Sequence, residues 1–186
     1  MARTAWTVRA ITRAMLPVLL VLTAVEVGSG LVLETFEETL LTYPSLLILV
    51  PVTIGTAGNL GSILAARLST AFHLGTLSFS AGDAILVGNA LATVALALTT
   101  FPVIGAGAWA LAALTGGTVL APPTVVLVAV LSGALLSLLA VGVTLVATYV
   151  AYRRGLDPDD IAIPTVTNTC DVLGVVVLFA VVHLIV

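Results

Sequence analysis

Charged residues are scarce in this chain of 186 residues, at 8% of the total, whereas soluble domains carry about a quarter. Hydrophobic residues make up 60% of the sequence, and the mean hydropathy is +1.27. These values exclude an ordinary soluble domain and indicate an integral membrane protein. The formal net charge of -3 and the pI near 5.1 average over both faces of a membrane, so they say little about partners.

Several kinds of chemistry are also missing. The single cysteine, Cys170, excludes an intrachain disulfide and a metal site made of cysteines. The sequence has no phosphate-binding loop, no nucleophile with an adjacent base, and no haem or flavin motif, so we expect neither an enzyme nor a bound organic cofactor. The absence of a basic patch excludes nucleic-acid binding.

Long apolar runs are what the sequence does contain. A helix that crosses a bilayer needs about 20 mostly apolar residues, and the spacing of charges and breaks predicts five such helices. The uncharged stretch 84–152 is long enough for two, divided at TGGTVLAPP, where glycine and proline pairs oppose a helix. We treat the N-terminal run as a span, because no small-residue cleavage site closes it. The expected helices are approximately 14–33, 43–66, 84–114, 123–152 and 161–185.

The predicted fold is therefore an all-α, multi-pass membrane protein with a single domain over 1–186. With five spans, every arginine lies on one side of the membrane, so the positive-inside rule places the N-terminus in the cytoplasm and the C-terminus outside a plasma membrane. Acidic clusters then mark both membrane faces, either as solvated loops or as groups that concentrate cations. The arginines are Arg3, Arg9, Arg13, Arg67, Arg153 and Arg154.

Two acidic residues interrupt the apolar runs, Glu26 in the first and Asp171 in the last. No Lys, Arg or His lies at a comparable depth, so each carboxylate must be protonated, hydrated or bound to a cation. Thr167 and Asn168 precede Asp171 by four and three residues, which puts their oxygens on the same side of a helix. Oxygen ligands suit Mg²⁺ or Na⁺. The alternative for Asp171 is a protonated acid that bonds a neighbouring helix.

The second apolar run contains PVTIGTAGNLGSILAAR, in which Gly55, Gly58 and Gly61 recur every third residue. Glycines at such spacing narrow one face of a membrane helix and permit a close crossing. Asn59 lies among them, and its amide either bonds another helix or lines the same polar path as Asp171.

Both segments together resemble the membrane domain of the MgtE family of magnesium channels. The similarity rests on Pro-x-x-x-Gly-x-x-Gly-Asn-x-Gly followed by Arg67, and on Asp-Pro followed by Pro-x-x-x-x-x-x-Asp-x-x-Gly. The chain is similar as well to each half of the related animal magnesium solute carriers. The matching positions are Pro51, Gly55, Gly58, Asn59, Gly61, Arg67, Asp157, Pro158, Pro164, Asp171 and Gly174, with Phe36 and Glu37 where the family tends to carry a Phe-Glu pair.

This resemblance implies a homodimer of five-helix subunits, in which the second and fifth spans of both copies line a central pore. Asp171 matches the pore aspartate of the family, so two carboxylates would bind one hydrated divalent cation. We expect the metal-binding residues to be Asp171, Asn168, Thr167, Asn59, Gly58, Glu37 and Glu26. Glu26 matches no family motif and is either a second cation or proton site, or a protonated acid near the outer interface.

We therefore expect a channel or facilitative transporter for Mg²⁺, with Mn²⁺, Co²⁺ or Ca²⁺ as other cargoes that the sequence does not separate. One alternative is an exchanger coupled to Na⁺ or H⁺, and another is a membrane assembly protein that transports nothing. The soluble regulatory region typical of the family is not expected here, so control would come from the membrane domain, the voltage or a separate regulatory protein. His73 and His183 are expected at the surface, in a loop and near the outer interface.

Overall fold

A computed structural model describes residues 7–80 and 82–186, without the side chains of Ala10 and Ala14. Six α-helices occur within those residues, and five of them are long and apolar enough to cross a membrane, which confirms the predicted all-α fold with five spans. The sixth, α2, is a short helix between the first two spans that the sequence did not predict. The helices are α1 Val8–Glu34, α2 Glu37–Thr42, α3 Pro44–His73, α4 Ala84–Leu114, α5 Pro122–Arg154 and α6 Pro158–Ile185.

The largest difference from the expected bounds is at the end of α3, which continues seven residues beyond position 66. Arg67 does not end the helix: its Nε donates to the Oδ1 of Asn89 on α4, and Asn89 in turn donates from Nδ2 to the carbonyl of Ile85. The assignment of His73 to a loop was therefore wrong: His73 is the last residue of α3. Similarly, α1 begins at Val8 rather than near position 14.

The centre of the bundle is formed by α3, α5 and α6. Each of these three packs against the other two, α4 packs on α3 and α5, and α1 packs on α6. Fully buried side chains such as Leu49, Leu136 and Leu178 fill the space between them. No described residue of α1 is buried, so α1 lies at the edge of the bundle and leaves much of α6 reachable from one side.

Glycines set the distance between α3 and α6. A Cβ at Gly61 would lie 2.5 Å from Val166 Cγ2, and one at Gly174 would lie 2.6 Å from Ile54 Cγ1, so neither position has room for a side chain. Gly58 faces the Cα of Thr167, which a Cβ would meet at an ordinary 3.7 Å. These glycines let the two backbones approach closely at the middle of the bundle.

Gly55 does not take part in this crossing, since a Cβ there would meet nothing within 4 Å. Three residues turn a helix by about 300°, so glycines spaced by three drift around it by about 60° at each step. Gly55 and Gly61 therefore point in different directions, although the sequence pattern presents them as one stripe.

Asp83 begins α4 as its N-cap, where a negative charge offsets the helix dipole. Its Oδ1 accepts hydrogen bonds from the backbone N–H groups of Ile85 and Leu86, at 2.8 and 3.1 Å. Its Oδ2 accepts from both the backbone N–H and the hydroxyl of Ser78, at 2.6 and 2.7 Å. The two bonds from Ser78, with the capping bonds, lower the pKa of Asp83 from 3.8 to about 2.

Replacing Gly174 with alanine should destabilise the α3–α6 crossing, because the new methyl group would overlap Ile54. Overpacking of this kind costs about 1–3 kcal/mol, so the apparent melting temperature of the purified protein in detergent should fall. Gly55→Ala is the matched control, because it adds the same methyl group to a glycine with open space around it. Equal melting temperatures for the two variants would contradict the close crossing described above.

Acid should weaken the cap of α4 in a defined pH window. The pKa of Asp83 is lower in the folded protein than its ordinary value of 3.8. Its carboxylate therefore stabilises the fold fully above about pH 4, and this contribution disappears as the pH falls towards 2. Asp83→Asn should melt at a lower temperature than the parent at pH 6, and this difference should shrink on acidification. A difference in melting temperature that does not change with pH would contradict this role of Asp83. Glu38→Gln is the control, because it neutralises an exposed carboxylate.

Candidate cation site

Asp171 lies at the midpoint of α6, about 20 Å along the helix from either end at a rise of 1.5 Å per residue. The side chain is half-buried. In the described part of the chain, the one basic side chain close to a carboxylate is His73, beside Asp157 at the N-terminal end of α6, so Asp171 has no cationic partner there. An unpaired carboxylate at this depth is costly unless it faces water or a cation.

Glu26 is the second carboxylate near this position. The half-buried residues of α1 recur at helical spacing along the face that packs on α6, and Glu26 is one of them. Asp171 lies on α6, the helix that this face contacts. The structure therefore brings together the two acids that interrupt the apolar runs, on neighbouring helices. The half-buried residues of this face include Met15, Val18, Leu22, Glu26, Ser29 and Leu33.

Thr167 lies one turn before Asp171 and against α3. Its hydroxyl donates to the backbone carbonyls of Ile163 and Pro164, both at 3.1 Å. Because the proton is used in these bonds, the oxygen lone pairs remain available to accept a bond from a hydrated ion. The crossing of α3 and α6 places Gly58 directly opposite the backbone of Thr167, so these two predicted residues are brought together.

Asn59, the neighbour of Gly58, is exposed on the surface of the single subunit. Gly55 is also exposed, and Thr56 and Ser62 are half-buried on the same helix. An amide is costly to leave against hydrocarbon, because no group there can bond it. The polar surface of α3 therefore requires water or a second protein surface in front of it.

Asn168 has different neighbours from Thr167. Its side chain is buried and lines a groove of about 260 Å³ between α1 and α6, together with Leu22 and Val25. Its Oδ1 has no hydrogen-bond partner among the residues that the structure describes. Asn168 thus lies on the α1 side of α6, whereas the Thr167 backbone faces α3.

Glu37 is separate from this group. It is exposed at the first position of α2 and lines a surface cavity of about 310 Å³ with Glu34 and Leu40. The preceding residue, Phe36, stacks on the ring of Phe179 with 3.8 Å between ring centroids. Since Phe179 is eight residues beyond Asp171, this contact lies about 12 Å further along α6. Glu37 therefore lies towards the C-terminal end of α6 rather than at the level of Asp171.

The sequence analysis did not predict that a third group of polar residues would lie together. His73, Asp157 and Asp159 each place one potential ligand atom within 4.8 Å of the others, and all three are exposed. The sequence identified the aspartates as an acidic cluster and the histidine as a surface residue, but 84 positions separate His73 from Asp157. The only signal that could have joined them was the adjacency of the α3 C-terminus and the α6 N-terminus in a close helix pair.

The central residues offer carboxylate, hydroxyl and amide oxygens, a set that suits a hard cation such as Mg²⁺. The family model described as MgtE, a divalent cation transporter, matches residues 50–181, which is well over half of the chain. The match begins inside α3 and includes nearly all of α6, whereas Glu26 and Glu37 precede it. No curated protein gives a significant match.

Proposed function

Because the chain belongs to the MgtE family of divalent cation transporters, we propose that it carries Mg²⁺ through the plasma membrane as a channel or facilitative transporter. The observation that supports this most directly is the position of Asp171, a half-buried carboxylate at the centre of a membrane helix without a cationic partner in the described residues. A transported divalent cation is a suitable counter-ion for such a group.

The proposed pore lies at the twofold axis of a homodimer, between α3 and α6 of the two subunits. The exposed amide of Asn59 and the open space around Gly55 support this placement, since a second subunit and the water it encloses would cover them. Twofold symmetry presents the same residues from both copies. Two Asp171 carboxylates would then face one ion, and a divalent charge would remove their mutual repulsion.

Mg²⁺ gives up its water reluctantly and usually keeps several water ligands when a protein binds it. A site that binds through this hydration shell needs acceptors set back from the ion. The carboxylate of Asp171, the hydroxyl oxygen of Thr167 and the amide oxygen of Asn59 are such acceptors, and Gly58 leaves room beside them. Mn²⁺, Co²⁺ and Ca²⁺ use similar ligands and are the other candidate cargoes.

No bound energy source is needed for such a transporter. A membrane potential supplies about 2.3 kcal/mol per elementary charge for each 100 mV, and a divalent ion carries two charges. An inside-negative potential would therefore draw the ion inward along the path from the outer mouth near Glu37 to the cytoplasmic ends of α3 and α6.

Coupled exchange is a second candidate, and the position of Glu26 favours it. Two acids on the neighbouring helices α1 and α6 could exchange Mg²⁺ for Na⁺ or H⁺, with one ion leaving as the other binds. A channel and an exchanger differ in one requirement: an exchanger needs a gradient of the second ion, whereas a channel needs only the potential or a Mg²⁺ gradient.

Asp171→Asn should abolish most Mg²⁺ uptake, because neutral amides in the pore would no longer attract a divalent cation. The measurement is uptake into liposomes containing the purified protein, with a potential imposed by K⁺ diffusion and an internal magnesium indicator. Glu38→Gln, which neutralises an exposed acid on α2, should transport like the parent.

A correctly folded Asp171→Asn protein that takes up Mg²⁺ as fast as the parent would contradict the proposed pore site. Repeating the assay with Na⁺ and H⁺ gradients collapsed separates the two candidates. Uptake that persists on potential alone supports the channel, and uptake that stops supports the exchanger.

Cross-linking tests the dimer axis. In a Cys170→Ala background, a cysteine at Asn59 should form a disulfide-linked dimer in membranes, because Asn59 of both copies would lie near the axis. A cysteine at Val103, which is 70% exposed on α4, is the matched control and should remain monomeric on non-reducing gels. Dimer bands for Val103 but not for Asn59 would place the subunit interface on α4 instead.

A further inference from the structure

A second group of potential metal ligands lies where the C-terminus of α3 meets the N-terminus of α6. His73 ends α3, Asp157 is the N-cap of α6, and Asp159 is in the first turn of α6. The His73 Nε2 is 3.9 Å from Oδ2 of Asp157, and one ligand atom of each residue lies within 4.8 Å of the other two. The imidazole distinguishes this group from the acidic first turn of a helix.

The hydrogen bonds around this group leave the inward-facing atoms free. His73 Nδ1 is 2.9 Å from the backbone carbonyl of Ser69, and a carbonyl can only accept, so the proton of the neutral ring is on Nδ1. Its Nε2 lone pair then faces Asp157. The Oδ1 of Asp157 accepts from the N–H of Asp159 at 3.0 Å, which leaves Oδ2 towards His73. A backbone carbonyl on the other ring nitrogen is the usual support of a metal-binding histidine.

We propose that His73, Asp157 and Asp159 bind a divalent transition-metal ion, of the class of Co²⁺, Ni²⁺ or Zn²⁺. One imidazole nitrogen and two carboxylates suit these ions better than Mg²⁺ or Ca²⁺, which prefer oxygen alone. Tetrahedral binding at about 2.0–2.2 Å would bring the ligand atoms to about 3.3 Å from one another. Rotation of the exposed side chains of His73 and Asp157, 46% and 37% accessible, supplies that small movement and leaves room for water ligands.

A metal ion in this position would join α3 to α6 at one end. These are the two helices of the proposed pore, so the joined ends would resist any separation that transport requires, and the bound ion would inhibit Mg²⁺ flux. This regulatory consequence depends on the proposed function, whereas the metal site itself does not.

The binding test uses the full-length protein carrying Asp171→Asn, so that the pore site does not contribute. Calorimetric titration with Ni²⁺, and the visible absorption of bound Co²⁺, should show one ion per subunit. Adding His73→Asn should weaken Ni²⁺ binding by about tenfold or more, and Asp159→Asn should weaken it as well. His183→Asn is the matched control, because it removes the other histidine of the chain at the opposite end of α6.

Equal Ni²⁺ affinity with and without His73, or an equal loss in His183→Asn, would overturn the site. Comparing Ni²⁺ with Mn²⁺ gives a further test. A purely structural role of His73 would change the affinity for both ions equally. Nitrogen ligation favours Ni²⁺ over Mn²⁺, so His73→Asn should weaken Ni²⁺ binding more than Mn²⁺ binding. An equal loss for both ions would contradict ligation by the imidazole.

The flux test uses the parent protein with Asp171 intact, in liposomes. Ni²⁺ on the side of the α3 C-terminus should slow Mg²⁺ uptake, and the His73→Asn protein should resist this inhibition. Ni²⁺ binding that leaves uptake unchanged would overturn the regulatory consequence but not the site. A parent that takes up no Mg²⁺ would instead count against the proposed function, while the Ni²⁺ titration would still decide whether the metal site exists.

Discussion

The close approach of α3 to α6 is the contact on which the candidate site depends. Helices in a bilayer gain little from hydrophobic burial against one another, so tight van der Waals packing between small residues takes its place. Gly61 and Gly174 remove the side chains that would otherwise hold the two backbones apart. Gly58 then lies against the Thr167 backbone, and the polar surface of α3 comes to the same region as Asp171. A wider crossing would move the polar surface of α3 away from Asp171.

Glu26, the second carboxylate, is held in place by much looser packing. Glu26 is on α1, which packs on α6 and has no buried residue in its described length. The distance between the two acids is therefore set by the least packed helix of the bundle, whereas that between Thr167 and Gly58 is set by one of the tightest contacts. A second subunit placed over α3 and α6 would also determine how much α1 can move.

The sequence predicted the number of spans and the central acid, because both follow from where charges interrupt apolar runs. It could not predict which glycines meet α6, since spacing by three looks like one stripe but turns around the helix. It also ended α3 at Arg67, because a charge usually marks the edge of the membrane, whereas the helix itself continues to His73 and the Arg67 side chain bonds Asn89 on α4. The group around His73 depends on that continuation, and no local pattern contains it.

The three levels of α6 differ in the ions they suit. Near the C-terminal end, Phe179 stacks on Phe36 beside Glu37, an exposed carboxylate with no enclosing ligands around it in the described residues. The centre offers oxygens alone, which favours hard, hydrated ions. The N-terminal end adds an imidazole, which favours transition metals over Mg²⁺. Mg²⁺ would therefore bind weakly at the N-terminal end, whereas Ni²⁺ or Zn²⁺ would bind there better than among the oxygens of the centre. The two proposals together assign one helix both to transport and to its inhibition by another metal.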